Sequence, residues 1–281
     1  MLEQLKYKNH LNEVFEFGKN GIFVNASDLH DYDWKTSSKG SRISALTRQV
    51  STRKLPVIIM CKTDAEGISA RNRMLEVMEK DVLAVQHGQI IVGDYYFRCF
   101  VTKSAKKDYL TNKRLMKLTL TLTSDYPYWV KETRLQFRQS SGGGGGGASS
   151  LWLDFPYDYP FDYFFAAGSG NSNILSNSGF VATNFRMILY GSCKNPTISI
   201  AGHTYQVLCD VGVNEYLTID STTKKIQLVQ YDGTVVNKFN NRNKASYIFQ
   251  KIPAGTSTIT WSGLSDFDII LMEERSEPKW I

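Results

Sequence analysis

Three aspartates at four-residue intervals, Asp154, Asp158 and Asp162, stand among aromatic side chains in the stretch running from Leu151 to Phe165. Rings beside carboxylates are the equipment of a sugar cleft, because rings stack on pyranose faces while acids accept hydroxyl protons. A pair of acids could also hydrolyse a glycosidic bond, provided their separation suits an acid and a base or nucleophile. Pro156 and Pro160 interrupt any helix that would align the three, so the spacing defines no such pair. Trp152, Tyr157, Tyr159 and Tyr163 are the candidate contacts of this stretch, either to saccharide or to an interface that buries their large apolar areas.

Other chemistry-bearing types are sparser. Cys193, His203 and Cys209 could meet across neighbouring strands, but they lack the tight spacing of a zinc site. Six glycines, Gly142–Gly147, are followed by no Lys-Ser/Thr, so the cation and magnesium ligand of a phosphate loop are missing. Gly191-Ser192-Cys193 does not complete a nucleophile elbow. These residues predict no catalytic site, no metal and no cofactor, and therefore a chain that is not an enzyme. Four cysteines in 281 residues form no disulfide framework, which points to free thiols in a reducing compartment. The opening residues carry no secretory signal and no apolar run is long enough to span a bilayer, which predicts a protein made in the cytoplasm.

The elements that would position such residues are mostly strands. Leu55–Cys61 is an apolar run of strand length with Pro56 near its start. Thr63-x-x-Glu66 has capping-box spacing and predicts a helix start. From there Ile68, Leu75, Met78 and Val82 recur at helical spacing, and Gly88 is placed to close the helix in the left-handed conformation. Gln89–Val92 and Tyr95–Val101 flank Gly93-Asp94, a two-residue hairpin turn. Met116, Leu118, Leu120 and Leu122 alternate with polar residues and predict a half-buried strand, ended by Ser124-Asp125-Tyr126-Pro127. Short strands follow in the second half at 197–200, 205–211, 216–220, 226–231, 234–239, 247–249, 257–261 and 267–272, parted by turn signals such as Ala201-Gly202 and Asp232-Gly233.

The chain therefore reads as mainly β in two domains. Residues 1–140 form the first, 141–150 a Gly/Ser-rich linker or loop, and 151–281 the second. Charge divides the same way: residues 1–140 carry 23 Lys and Arg against 15 Asp and Glu, and residues 141–281 carry 10 against 12. The basic residues are scattered, which favours solvent or a protein interface over nucleic acid.

An ordered set of fragments resembles one known family. Tyr7-Lys8-Asn9-His10, Gly21-Ile22-Phe23-Val24, Asp31-Tyr32-Asp33-Trp34, the helix, Gly93-Asp94-Tyr95-Tyr96 and Ser124-Asp125-Tyr126-Pro127-x-Trp129 look like the distal tail proteins of long-tailed, siphovirus-type bacteriophages. Asn195-Pro196-Thr197-Ile198, Glu215–Asp220, Lys251–Gly255 and Glu273–Trp280 continue the match. The resemblance implies an N-terminal β-sandwich with one helix and a hairpin, then a C-terminal galectin-like or jelly-roll β-sandwich. It implies a structural component of the virion tail tip, a homohexameric ring at the distal end of the tail tube. Its partners would be copies of itself, the tail tube protein, the tape-measure protein, a tail-associated tip protein and receptor-binding proteins. DNA would only pass through the lumen, so the basic residues are expected to face neighbours or outer solvent. The lumen would be neutral or acidic, with Asp28, Asp31, Asp33 and Asp94 as candidates. The alternative is a carbohydrate-binding adhesin that recognises host wall saccharide. Alanine at Trp152, Tyr157 and Tyr159 abolishes glycan binding only under that alternative.

Overall fold

A computed structural model describes residues 5–25, 27–107, 113–138, 172–262, 264 and 266–279. The glycine run and the candidates Trp152, Tyr157, Tyr159 and Tyr163 lie outside the described residues, as do Asp154, Asp158 and Asp162. The chain is mainly β and divides into two compact units, Met1–Glu132 with Glu273–Ile281, and Thr133–Met272.

The first unit contains β1 (Leu5–Lys8), β2 (Val14–Glu16), β3 (Ile22–Val24), β4 (Lys35–Lys39), β5 (Arg42–Thr47) and β6 (Ser51–Met60). The helix α1 (Asp64–Ala84) follows, then β7 (Gly88–Val92), β8 (Tyr95–Lys107), β9 (Leu115–Ser124) and the start of β10 (Trp129–Phe137). Two antiparallel runs, β10-β8-β7-β1-β2 and β3-β6-β9-β8, share the long strand β8. A register shift between Val101 and Lys103 marks a bulge, which lets one strand bend from the first run into the second. The alternation predicted for β9 holds: Met116, Leu118, Leu120 and Leu122 are buried opposite Leu55, Val57 and Ile59 of β6. The hairpin turn at Gly93-Asp94 also forms, with Gly93 at positive φ.

Thr63 caps α1 as its spacing predicts. Its hydroxyl accepts the amide of Glu66 at 3.2 Å, and the Glu66 carboxylate accepts the amide of Thr63 at 3.2 Å. The buried face is only partly the predicted one, since Met78 is buried and Leu75 packs half-buried against the core. Ile68 and Val82 are exposed, whereas Gly67, Met74, Val77, Met78 and Asp81 are buried. Two contacts set that rotation. A Cβ on Gly67 would lie 2.2 Å from the carbonyl oxygen of Lys113, so only glycine admits the helix this close. At the other end the carboxylate of Asp81 turns inward to bind β1. The helix also ends earlier than predicted, with Val85 in the left-handed conformation. Gly88 instead opens β7, where a Cβ would fall 2.1 Å from the Tyr7 hydroxyl and 2.2 Å from Asp81 Oδ2.

The second unit is a pair of antiparallel sheets around one core. Its strands are β11 (Ser172–Asn177), β12 (Asn184–Tyr190), β13 (Cys193–Lys194), β14 (Thr197–Ile200), β15 (His203–Gln206) and β16 (Asp210–Val211). They continue with β17 (Tyr216–Asp220), β18 (Lys225–Val229), β19 (Val235–Asn237), β20 (Gly255–Ser262) and β21 (Phe267–Arg275). One sheet runs β19-β18-β17-β12-β21 and the other β11-β20-β14-β15. Residues 247–249 form a turn rather than the predicted strand. Ile248 and Phe249 are buried there by core packing, so their apolar character signals burial and not pairing.

Candidate assembly surface of the first unit

The segment 27–34 carries Asp28, Asp31 and Asp33 and is pinned from inside. Leu29 is buried, and its carbonyl accepts both the guanidinium of Arg53 and, at 3.3 Å, the indole of Trp129. Arg53 is itself buried, 4.3 Å from the ring centroid of Phe97. Burial lowers its pKa to about 10, with Arg48 adding to the effect and Asp28 and Asp31 opposing it, so it stays cationic at neutral pH. The Asp28 carboxylate accepts the backbone amide of Lys54 at 2.5 Å.

Immediately after this segment, β4 and β5 form a hairpin all of whose strand residues are exposed. Its root is clamped by aromatic rings. The Arg48 guanidinium lies 5.0 Å from the ring centroids of Trp34 and Tyr128 and 5.7 Å from that of Tyr32, and it donates to the carbonyl of Pro127. Such cation–ring contacts stabilise by about 0.5–2 kcal/mol each, more as water is excluded. Burial lowers the Arg48 pKa, against the nearby Tyr128, Tyr32 and Asp33.

The register of the hairpin has a consequence for its faces. Ser37 pairs with Ala45 but Ser38 pairs with Ile43, leaving Ser44 as an extra residue. That bulge puts Ile43 and Leu46, three apart in sequence, on the same face with Thr36 and Ser38. Lys35, Lys39 and Arg42 share the other face. Ile43 is 66% and Leu46 55% exposed, so this apolar pair buries little on its own chain.

Between the acidic segment and the hairpin root lies a concavity of about 350 Å³, lined by Asp28, Asp31, Tyr32, Asp33, Val50 and Pro127 among others. Three of the four predicted acidic residues are thus brought together. The fourth, Asp94, sits apart at the β7–β8 turn and pairs with Lys131 at 2.8 Å. Its pKa is lowered by the hydrogen bond from Lys131 and by the lysine's charge. A wider groove of about 1100 Å³ runs between β2, β3 and the start of α1, past Phe23, Met60, Cys61 and Arg73. The pairing of Lys54, Thr121 and Lys103 across β6, β9 and β8 puts basic residues and threonines on the side of that sheet away from the core.

The remaining candidates are in the second unit. Cys193 and Cys209 are buried in its core, and His203 Nε2 lies 2.9 Å from the carbonyl of Tyr247. Among the described residues no three His, Cys, Asp or Glu side chains gather as a metal site. The hairpin β4–β5 is an element that sequence patterning misses, because neither of its faces is buried against the other described residues. Its one legible signal is charge, with Lys35, Lys39 and Arg42 and no acid in residues 35–47, directly after three acids in 27–34.

Comparison with known proteins finds the same fold in phage tails. The crystal structure of the SPP1 Dit (gp 19.1) protein, described as a paradigm of the hub adsorption apparatus in phages that infect Gram-positive hosts, matches with a TM-score of 0.59 at 9% identity, covering 98% of this chain and 100% of that one. The phage P2 baseplate in its activated conformation, solved with Ca and with Sr, matches with a TM-score of 0.65 at 12% identity, covering 99% of this chain and 100% of that one. No family model matches the sequence, and no curated protein does.

Proposed function

We propose that this chain is the hub of a phage tail tip, a homohexameric ring at the distal end of the tail tube. The observation that carries the reading is the whole-length fold match to a Dit hub protein and to baseplate structures, which covers both units in order. The work of such a protein is geometric. A ring continues the tube wall, leaves a lumen open and presents docking sites to the tail tube, tape-measure, tip and receptor-binding proteins. Ring closure requires a heterologous contact, in which one surface of a copy meets a different surface of the next. DNA passes through without being held, so the wall should lack strong positive charge. Asp28, Asp31, Asp33 and Asp94 are the acidic candidates for that wall, with the charge of Asp94 offset by Lys131.

Negative-stain images and sedimentation of the purified chain should show six-membered rings. A monomer in both, with tube and tip partners also present, overturns the proposal. No turnover belongs to this reading. Incubation with purified cell walls should release neither reducing sugar nor free amine, and release that vanished when one acidic residue was changed to its amide would reverse it.

A further inference from the structure

The hairpin β4–β5 spends about a dozen residues on strands that stay exposed among the described residues. An isolated two-stranded hairpin is marginal in water, and a single open one exposes two strand edges. Here its root is held by Arg48 between Tyr32, Trp34 and Tyr128, so its direction is set before any partner arrives. A held hairpin with an apolar pair on one face and cations on the other is suited to a receptor that offers both apolar and acidic groups.

The concavity at the root of the same hairpin offers both. Val50 is 65% and Tyr32 55% exposed on its lining, beside Asp28, Asp31 and Asp33. Cations line it too, each with one hydrogen bond to its own chain. Arg53 is buried and donates to the Leu29 carbonyl, Arg48 is stacked and donates to the Pro127 carbonyl, and Lys35 donates to Gln49. None of the three carboxylates forms an ion pair among the described residues, and neither Lys39 nor Arg42 does. These opposite charges do not meet one another among the described residues. The Lys39–Arg42 pair stands four residues beyond the Lys35–Thr47 pair, about 13 Å further out at strand rise.

We propose that the tip of this hairpin docks into the root concavity of a second copy of the chain, Lys39 and Arg42 toward Asp31 and Asp33, Ile43 toward Val50 and Tyr32. The contact rests on the ring reading above and supplies its heterologous surfaces, since each copy gives a tip to one neighbour and a root to the other. It moves Asp31 and Asp33 from the lumen wall to the seam between copies.

Two charge reversals test it, one at the tip (Lys39→Glu with Arg42→Glu) and one at the root (Asp31→Lys with Asp33→Lys). All four residues are exposed, so folding should be untouched, and the far-ultraviolet circular dichroism of each variant should match that of the parent. Sedimentation velocity should show rings for the parent and monomers for each variant alone. A mixture of the two variants should restore even-membered rings, because every seam in an alternating ring then joins opposite charges. Parent rings with variants that still assemble alone, or a mixture that stays monomeric, overturn this contact and leave the ring reading standing. A monomeric parent overturns the ring reading and this contact together.

Discussion

The hydroxyl of Tyr7 donates to Asp81 Oδ2 at 2.5 Å, tying β1 to the last turns of α1 across 74 positions of sequence. Asp81 is fully buried, and its other oxygen accepts the backbone amide of His10 at 2.8 Å and contacts His10 Nδ1 at 2.5 Å. Burial, and then the bond to Asp81, pushes the Tyr7 phenol far above its ordinary range, so it donates at any working pH. Removing one partner leaves the other without water to replace it. Tyr7→Phe should lower stability by about 1–3 kcal/mol, and Gly88→Ala should also destabilise, because its methyl would enter the same bond. Urea unfolding measures both, and an unchanged midpoint in either variant would show that the network carries no load.

In the second unit Asp268 should make stability depend on pH in acid. The carboxylate is fully buried and accepts from Arg134 Nε, Arg138 Nη1 and the Tyr190 hydroxyl, each at 2.9 Å. Burial by itself would raise its pKa, but the hydrogen bonds from Arg134, Tyr190 and Arg138 outweigh it and hold the group below the ordinary carboxylate value. A depressed folded pKa contributes stability above the unfolded value of about 3.9 and loses it as pH falls through the folded one. Asp268→Asn should therefore weaken the protein near neutral pH and flatten its acid unfolding below about pH 4. An acid-unfolding profile identical to that of the parent would remove Asp268 from this role.

Thiol labelling should separate the four cysteines, all of them free. Burial raises Cys99 to about 12 and Cys193 to about 11, and it raises Cys209 as well. Cys61 is the least buried, though burial and Glu66 also raise its thiol. The thiolate is the reactive form. One equivalent should label slowly in the native protein at pH 8, at Cys61, and four after unfolding. Rapid native labelling of Cys193 or Cys209 would contradict the packing of the second core.

Arg48→Ala should loosen the hairpin while leaving the rest of the first unit intact. The guanidinium holds three rings at the hairpin root, and the strand residues of β4–β5 are all exposed. Amide exchange in residues 35–47 should quicken several-fold, with little change in the β6–β9 ladder. Equal exchange in the two proteins would mean that the clamp does not set hairpin order.

Local pattern alone determined the capped start of α1, the Gly93-Asp94 turn, the alternation of β9 and the strands β14 and β17, because capping, turn chemistry and a half-buried pleat are each written within a few neighbouring residues. Asp28, Asp31 and Asp33 enter only as candidates for the lumen wall of the ring that the family resemblance implies. Where such residues face is set by contacts between elements far apart in the chain. The rotation of α1 turns on Gly67 meeting the Lys113 carbonyl and on Asp81 meeting Tyr7, contacts 46 and 74 positions apart that no helical period encodes. The burial of Asp81 and Asp268 depends on partners distant in sequence that satisfy a charge water can no longer reach. The hairpin β4–β5 shows no apolar alternation because no described part of the chain covers it. Its faces became visible only when the extra residue at Ser44 placed Ile43 beside Leu46.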